Sequence, residues 1–314
     1  MKRFQLLLAI VALGFTAACN DAPDTVPTDT ETLSSAAITL EGDFDGPLGL
    51  QLWSVRHEME QDVRGTLARV HEMGFREVET AGTYGMSAEA FRQVLDSVGL
   101  EVTAAHVPFE RLRDSTDAVL DEAEILGAEY VGIAWYPHPE GQPFTEALAR
   151  QAAADFNRIG QAARERGLRF FYHNHGYEFQ PYRDGTLFDL IVQQTDPELV
   201  DFEIDVFWTA RPGQDPAALL RKYPDRWKLM HVKDMAQGTP MNDLTGHATE
   251  ADNVAVGSGQ LDYAAILQAA EEIGLEHYYI EDETSAPMQN IPLSIQYLET
   301  LRYDSTATAA TASR

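Results

Sequence analysis

Eight short apolar runs, each followed by a stretch with helical spacing, succeed one another across the middle of the chain, and no other feature restricts its fold as much. The runs are 48–53, 77–80, 102–107, 130–135, 169–175, 200–208, 228–233 and 277–281. Between them, 62–73 repeats apolar residues at Val63, Leu67 and Val70, and 88–98 does so at Phe91, Leu95 and Val98. Segments 155–166 and 261–273 behave alike. Gly74, Gly99, Gly167 and Gly274 stand at the ends of these helices, where a left-handed cap is favoured. Strict alternation calls for parallel strands joined by right-handed crossovers. Eight such units, in the 257 residues from Pro47 to Tyr303, predict one α/β domain closed as a (β/α)8 TIM barrel. An open doubly wound sheet would want a GxGxxG turn after its first strand, and Gln51-Leu52-Trp53-Ser54 offers none.

Composition narrows the partners. With 23 Lys+Arg against 50 Asp+Glu, a formal net charge of -27, the chain repels a phosphate backbone, and no nucleic-acid partner is expected. A single Cys excludes an internal disulfide and a thiol-based structural zinc site.

The N-terminus reads as an address. Lys2 and Arg3 precede an apolar run from Phe4 to Phe15, too short to span a bilayer, and small residues follow. Thr16-Ala17-Ala18-Cys19 puts the only Cys where a bacterial lipoprotein signal carries its lipidated residue, with Thr16 at a position usually held by Leu. The expectation is a signal peptide over 1–18 and a lipidated Cys19. A disordered acidic tether completes 19–46, with seven acids and no Lys or Arg in 20–46, and a disordered Ser/Thr/Ala tail follows over 304–314. The protein would then be exported and membrane-anchored by lipid alone, facing the periplasm or the cell surface. A homodimer is allowed, but no interface is legible.

In a TIM barrel, chemistry gathers at the carboxyl ends of the strands. Those ends carry Glu79, His106, the cluster His173-Asn174-His175-Gly176-Tyr177-Glu178, Asp205, His231 with Lys233, and Glu281. Carboxylates packed together raise one another's pKa unless a cation neutralises them. Glu178, Asp205, His231 and Glu281 are therefore read as one divalent-metal site. Oxygen-rich ligation with open positions suits Mn²⁺ best, with Mg²⁺ or Co²⁺ also admissible. His173 and His175 share the inward face of their strand, so either could serve as first ligand in place of Glu178. The HxHxxE spacing also matches part of a cupin motif, but a cupin has a longer gap and few helices.

Six segments, in this order and spacing, resemble the sugar (phosphate) isomerase/epimerase superfamily with its xylose-isomerase-like barrel. They are Gly49-Leu50-Gln51-Leu52-Trp53-Ser54-Val55-Arg56, Tyr172-His173-Asn174-His175-Gly176-Tyr177-Glu178-Phe179, Phe202-Glu203-Ile204-Asp205-Val206-Phe207-Trp208, His231-Val232-Lys233-Asp234, Val256-Gly257-Ser258-Gly259 and Tyr279-Ile280-Glu281. The resemblance implies a metal held by a Glu/Asp/His/Glu set, which falls on Glu178, Asp205, His231 and Glu281. A metal on a ketose carbonyl and its neighbouring hydroxyl acidifies the adjacent C–H. Two carboxylates on opposite faces can then epimerise or isomerise the sugar, with Glu178 and Glu281 as the acid/base pair. Glu79, His106, His175 and Lys233 are read as substrate contacts, with Trp53 and Trp208 as walls. An exported enzyme meets few phosphorylated sugars, so a neutral sugar or 3-keto-glycoside is expected. A keto-glycoside lyase or hydratase on the same metal is the neighbouring reading, and a non-catalytic sugar-binding lipoprotein is the alternative of another class.

Overall fold

The computed structural model describes residues 36–139 and 141–303. The signal peptide, Cys19 and the tail 304–314 lie outside the described residues. Among those described, no helix is long and apolar enough to cross a membrane.

Eight parallel strands close a barrel: β1 (Leu48–Gln51), β2 (Glu77–Thr80), β3 (Glu101–His106), β4 (Tyr130–Ile133), β5 (Arg169–His173), β6 (Val200–Asp205), β7 (Trp227–Val232) and β8 (His277–Ile280). Each pairs with its sequence neighbours, and β8 closes on β1 with Leu50 beside Ile280. The open-sheet alternative is thereby excluded. Side chains alternate across a strand. Ala104, Tyr130, Phe171, Leu229 and Tyr279 therefore meet inside the barrel as a separate buried cluster. Gly49 and Gly132 make room for it: a Cβ there would come within 2.7 Å of the Tyr279 ring and 2.6 Å of the Phe171 ring. Two residues further along these strands stand His106, His173, His231 and Glu281, then His175 and Lys233, and the neighbouring β2 and β6 bring in Glu79, Glu203 and Asp205. The apolar plug thus supports a polar mouth.

Helices cover the outside. Val63–Glu72 is capped by Asp62, whose carboxylate accepts the Gly65 N–H at 2.9 Å, and Ala88–Val98 ends at Gly99 in the left-handed conformation (φ 77°). The segment expected as 155–166 runs from Glu146 to Glu165. Its first half is too rich in Ala to display a large-residue period, yet Ala149, Ala152 and Ala153 are buried.

Most strands end earlier than expected, and at three of them the local reason is plain. β1 stops where the Gln51 side chain accepts the Trp53 N–H (2.9 Å) and starts a 3-10 turn. β5 stops before Gly176, which turns the chain at φ 95°. β6 stops at Asp205, which caps the short helix Val206–Ala210 by accepting the Trp208 N–H at 2.8 Å. A short apolar run such as Val206-Phe207-Trp208 fits a strand and a buried helical turn equally well.

The end of the expected tether is part of the domain. Phe44 is fully buried with its ring edge-on to Tyr278 at 5.0 Å, and the Glu41 and Asp43 N–H groups donate to the Glu299 and Leu301 carbonyls. The Gly-Ser-Gly segment after β7 wraps a carboxylate of the chain itself. Asp234 accepts the N–H groups of Gly257 and Gly259, each at 2.9 Å, and a Cβ on Gly259 would lie 2.2 Å from Asp234 Oδ1.

Candidate active site and metal centre

His231, at the end of β7, is the hub of the mouth. Its Nε2 lies 2.6 Å from Glu79 Oε2 and 3.3 Å from Glu203 Oε2, and its Nδ1 lies 3.3 Å from Glu281 Oε2 and 3.7 Å from Asp205 Oδ2. His173, at the end of β5, is arranged in the same manner. Its Nδ1 is 3.1 Å from Glu203 Oε2, and its Nε2 is 3.8 Å from the same Asp205 Oδ2. His106 Nε2 bridges the two deep carboxylates, 3.0 Å from Glu79 Oε1 and 2.8 Å from Glu203 Oε2. Two layers result. Below, Glu79 and Glu203 grip one nitrogen of each imidazole. Above, Asp205 faces the second nitrogen of both His173 and His231, and Glu281 faces that of His231.

The upper layer fits a divalent ion. Asp205 Oδ2 and His231 Nδ1 are buried without a hydrogen-bond partner, which is costly for polar atoms away from water. Around an ion with bonds near 2.1 Å, neighbouring donors sit roughly 3 to 3.5 Å apart, close to the spacings in this cluster. Asp205, His231 and Glu281 converge within metal-binding range, as do His106, His173, Glu203 and His231 beneath them, and His173 Nε2 lies 3.8 Å from the same Asp205 Oδ2. Carboxylates below the imidazoles are the usual outer partners of metal-bound histidines, fixing tautomer and ring orientation.

Electrostatics follow from burial and crowding. Burial would raise the Glu281 carboxyl, but the Lys233 ammonium, 3.0 Å away, and His231 hold it well below its ordinary value. Burial likewise opposes the charge on Glu79, yet His106 and His231 bring it to about 2. Glu203 is pushed up to about 7 by burial and by Glu79 beside it. His175 is held down near 3 by burial and by Lys233. Lys233 also bonds Glu283.

A cavity of about 510 Å³ opens above, lined at its base by His173, His175, His231, Lys233 and Glu281. Of the four residues read as metal ligands the structure brings together Asp205, His231 and Glu281, and it puts His106, His175, Lys233 and Trp53 on the cavity wall. Three expected roles need correction. Glu79 is fully buried beneath the cavity and touches His231 and His106, so it cannot meet substrate. Trp208 lies behind His175, stacked on it at 4.5 Å, and is not a wall. Glu178 is not in the cluster. Gly176 turns the chain back so that the Glu178 carboxylate accepts the His175 N–H (2.9 Å) and the Tyr172 hydroxyl. His173 occupies the inward position instead. Glu203 was missed, although it shares the inward parity of Asp205, two residues on.

Glu178 has no cation beside it, and burial pushes its carboxyl up to about 7. The folded state therefore holds the proton more tightly than the unfolded chain, so this contribution is complete below the ordinary value near 4.5 and is lost as pH rises through 7. Glu178→Gln, which keeps an accepting oxygen, should remove about 3 kcal/mol of that decline. Urea unfolding of both proteins at pH 5 and pH 8 checks it, and equal slopes with pH would refute it.

A family model for the xylose isomerase-like TIM barrel matches residues 67–301. The chain belongs to that family. Within this barrel family, the inosose dehydratase of Lacticaseibacillus casei is 24% identical over 244 residues, spanning 70% of this chain and 81% of that one. A sugar phosphate isomerase/epimerase structure from Parabacteroides distasonis superposes with a TM-score of 0.66 at 26% identity, covering 84% of this chain and 97% of that one. The 3-keto-D-glucoside 4-epimerase of E. coli superposes at 0.60 with 16% identity, covering 82% and 100%. The chain is thus one of an enzyme family of sugar isomerases, epimerases and dehydratases.

Proposed function

We propose that this xylose isomerase-like protein is a metal-dependent lyase that removes the proton next to the carbonyl of a neutral keto-sugar or keto-glycoside and expels the β-oxygen substituent. One observation carries the reading. Of the four carboxylates that face His231, only Glu281 also lines the cavity, and it lies 3.0 Å from Lys233 Nζ. Proton transfer between two Glu on opposite faces, as expected from the sequence, would need Glu178 on the other wall, where no carboxylate of the cluster stands. Glu281 and Glu283 both bond the one ammonium, Lys233, and a base beside an ammonium suits elimination better.

His173, Asp205, His231 and Glu281 would hold the ion, and two imidazoles with two carboxylates suit Mn²⁺, Co²⁺ or Zn²⁺. A divalent ion there supplies Lewis acidity toward the substrate carbonyl. Glu281 takes the α-proton. The electron pair of that C–H bond forms the new C=C bond, the β C–O bond breaks, and the departing oxygen takes a proton from Lys233. Glu281, in direct contact, returns its proton to Lys233, so both side chains end as they began. The cavity lining holds one Lys and no Arg, and that Lys is engaged by two carboxylates, which disfavours a phosphorylated substrate.

Epimerisation is the second reading. His175 Nδ1 is buried without a partner on the cavity wall, where the imidazole could relay a proton from a solvent molecule to the opposite face, giving one proton as it takes another. Incubating metal-loaded protein with methyl 3-keto-glucoside in D₂O, followed by NMR, separates the two. Release of methanol with an unsaturated ketone is expected. A deuterated epimer without methanol would favour the second reading. No exchange despite bound metal would overturn both and leave the binding-protein alternative.

A further inference from the structure

The cavity has two unlike halves, and only one is suited to a sugar. Its base carries the imidazoles, Lys233 and Glu281 already described. Its outer half is lined by Trp53, Val107, Pro108, Phe109, Ala134 and Trp135. The polar side chains nearby are engaged or turned to water. Gln51 donates to Glu79 and accepts the Trp53 N–H, Glu283 accepts from Trp53 Nε1 and from Lys233, and Glu110 is exposed. A sugar ring pressed against this half would bury hydroxyls without partners, which is unfavourable for every one left unpaired.

Both tryptophans are fixed in place before any ligand arrives. The indole of Trp53 stays 44% exposed, an unusual state for so large an apolar group, while its Nε1 donates to Glu283 at 2.8 Å and Arg56 lies over its ring. Trp135 packs edge-on to Tyr177 at 4.7 Å and stacks on His138 at 4.9 Å. An aromatic ring can pack offset or edge-on against rigid walls of this kind and needs no hydrogen-bond partners there. At about 510 Å³ the cavity is also within the size range of sites for drug-sized ligands.

We infer that the substrate carries an aromatic aglycone: the keto-sugar ring lies over the Asp205–His231–Glu281 cluster, and the aglycone fills the apolar half between Trp53 and Trp135. This rests on the proposed keto-glycoside chemistry for the position of the sugar, and on the cavity wall for the aglycone.

The test compares methyl and benzyl 3-keto-glucosides, whose leaving alcohols are similar in acidity, so that any preference reports on binding. On metal-loaded full-length protein the benzyl compound should have a kcat/KM about tenfold or more higher. The unoxidised benzyl and methyl glucosides, which cannot react, should show the same order of affinity by calorimetry. Trp53→Ala, at an exposed rim position, and Trp135→Leu should each bring the benzyl-to-methyl ratio toward one. Equal ratios in the native protein, or a cellobiose-derived keto-glycoside preferred over the benzyl one, would overturn the inference while leaving exchange chemistry on the methyl compound intact. Preferential binding of benzyl glucoside without reaction of any keto-sugar would support the aglycone site and remove the lyase reading.

Discussion

Glu281→Gln should lower α-proton exchange with methyl 3-keto-glucoside by about 10²- to 10⁴-fold, the usual contribution of a positioned general base. The substitution keeps the shape of the side chain and one oxygen toward His231 Nδ1, so the barrel should fold unchanged. It removes the only carboxylate of the His231 cluster that reaches the cavity, and it leaves Lys233 with Glu283 as its remaining carboxylate partner. Because Glu281 also belongs to the donor set, weaker metal binding could mimic loss of the base. Exchange is therefore measured at saturating metal, with occupancy followed by calorimetry. Loss of exchange at full occupancy identifies the base. Exchange within tenfold of the native rate at full occupancy would assign proton abstraction elsewhere, with His175 the nearest candidate.

The eight strands were legible because a barrel strand is a short apolar run closed by a turn, and Gly99 marks a helix end through a conformation that favours glycine. The site was legible in part for the same reason. The inward face of a strand is set by parity, so Asp205, His231 and Glu281 could be brought together from their positions alone. Parity fails once the strand ends. Glu178 follows Gly176, and a residue beyond a φ of 95° no longer keeps the column of His173. Trp208 fails similarly, since Asp205 caps a helix there and the indole turns away from the mouth. Depth was the other difficulty. Glu79 and Glu203 are strand-end acids like the others, but whether such an acid meets substrate or an imidazole depends on the stagger between strands. That stagger includes irregularities at Val78/Glu79 and Phe202/Glu203, which a single sequence does not display.

Those two deep acids lead to the second large effect. Glu79→Gln should weaken metal binding by about 10- to 100-fold, although Glu79 does not reach the metal-facing side of the cluster. The carboxylate accepts a hydrogen bond at His231 Nε2 (2.6 Å) and so leaves Nδ1 as the basic nitrogen toward Asp205 and Glu281. An amide presents a donor as readily as an acceptor. With its nitrogen turned to the ring it would favour the tautomer protonated at Nδ1, the wrong one for a ligand. It would also leave His106 with Glu203 as its remaining carboxylate partner. Calorimetry with Mn²⁺ or Zn²⁺ gives the affinity, and ¹⁵N chemical shifts of the His231 ring give the tautomer without reference to turnover. A merely structural role would lower thermal stability and leave the tautomer unchanged. Unchanged affinity together with an unchanged ring tautomer would mean that His231 is oriented by its own strand, and that the acid layer beneath it serves only to neutralise His106.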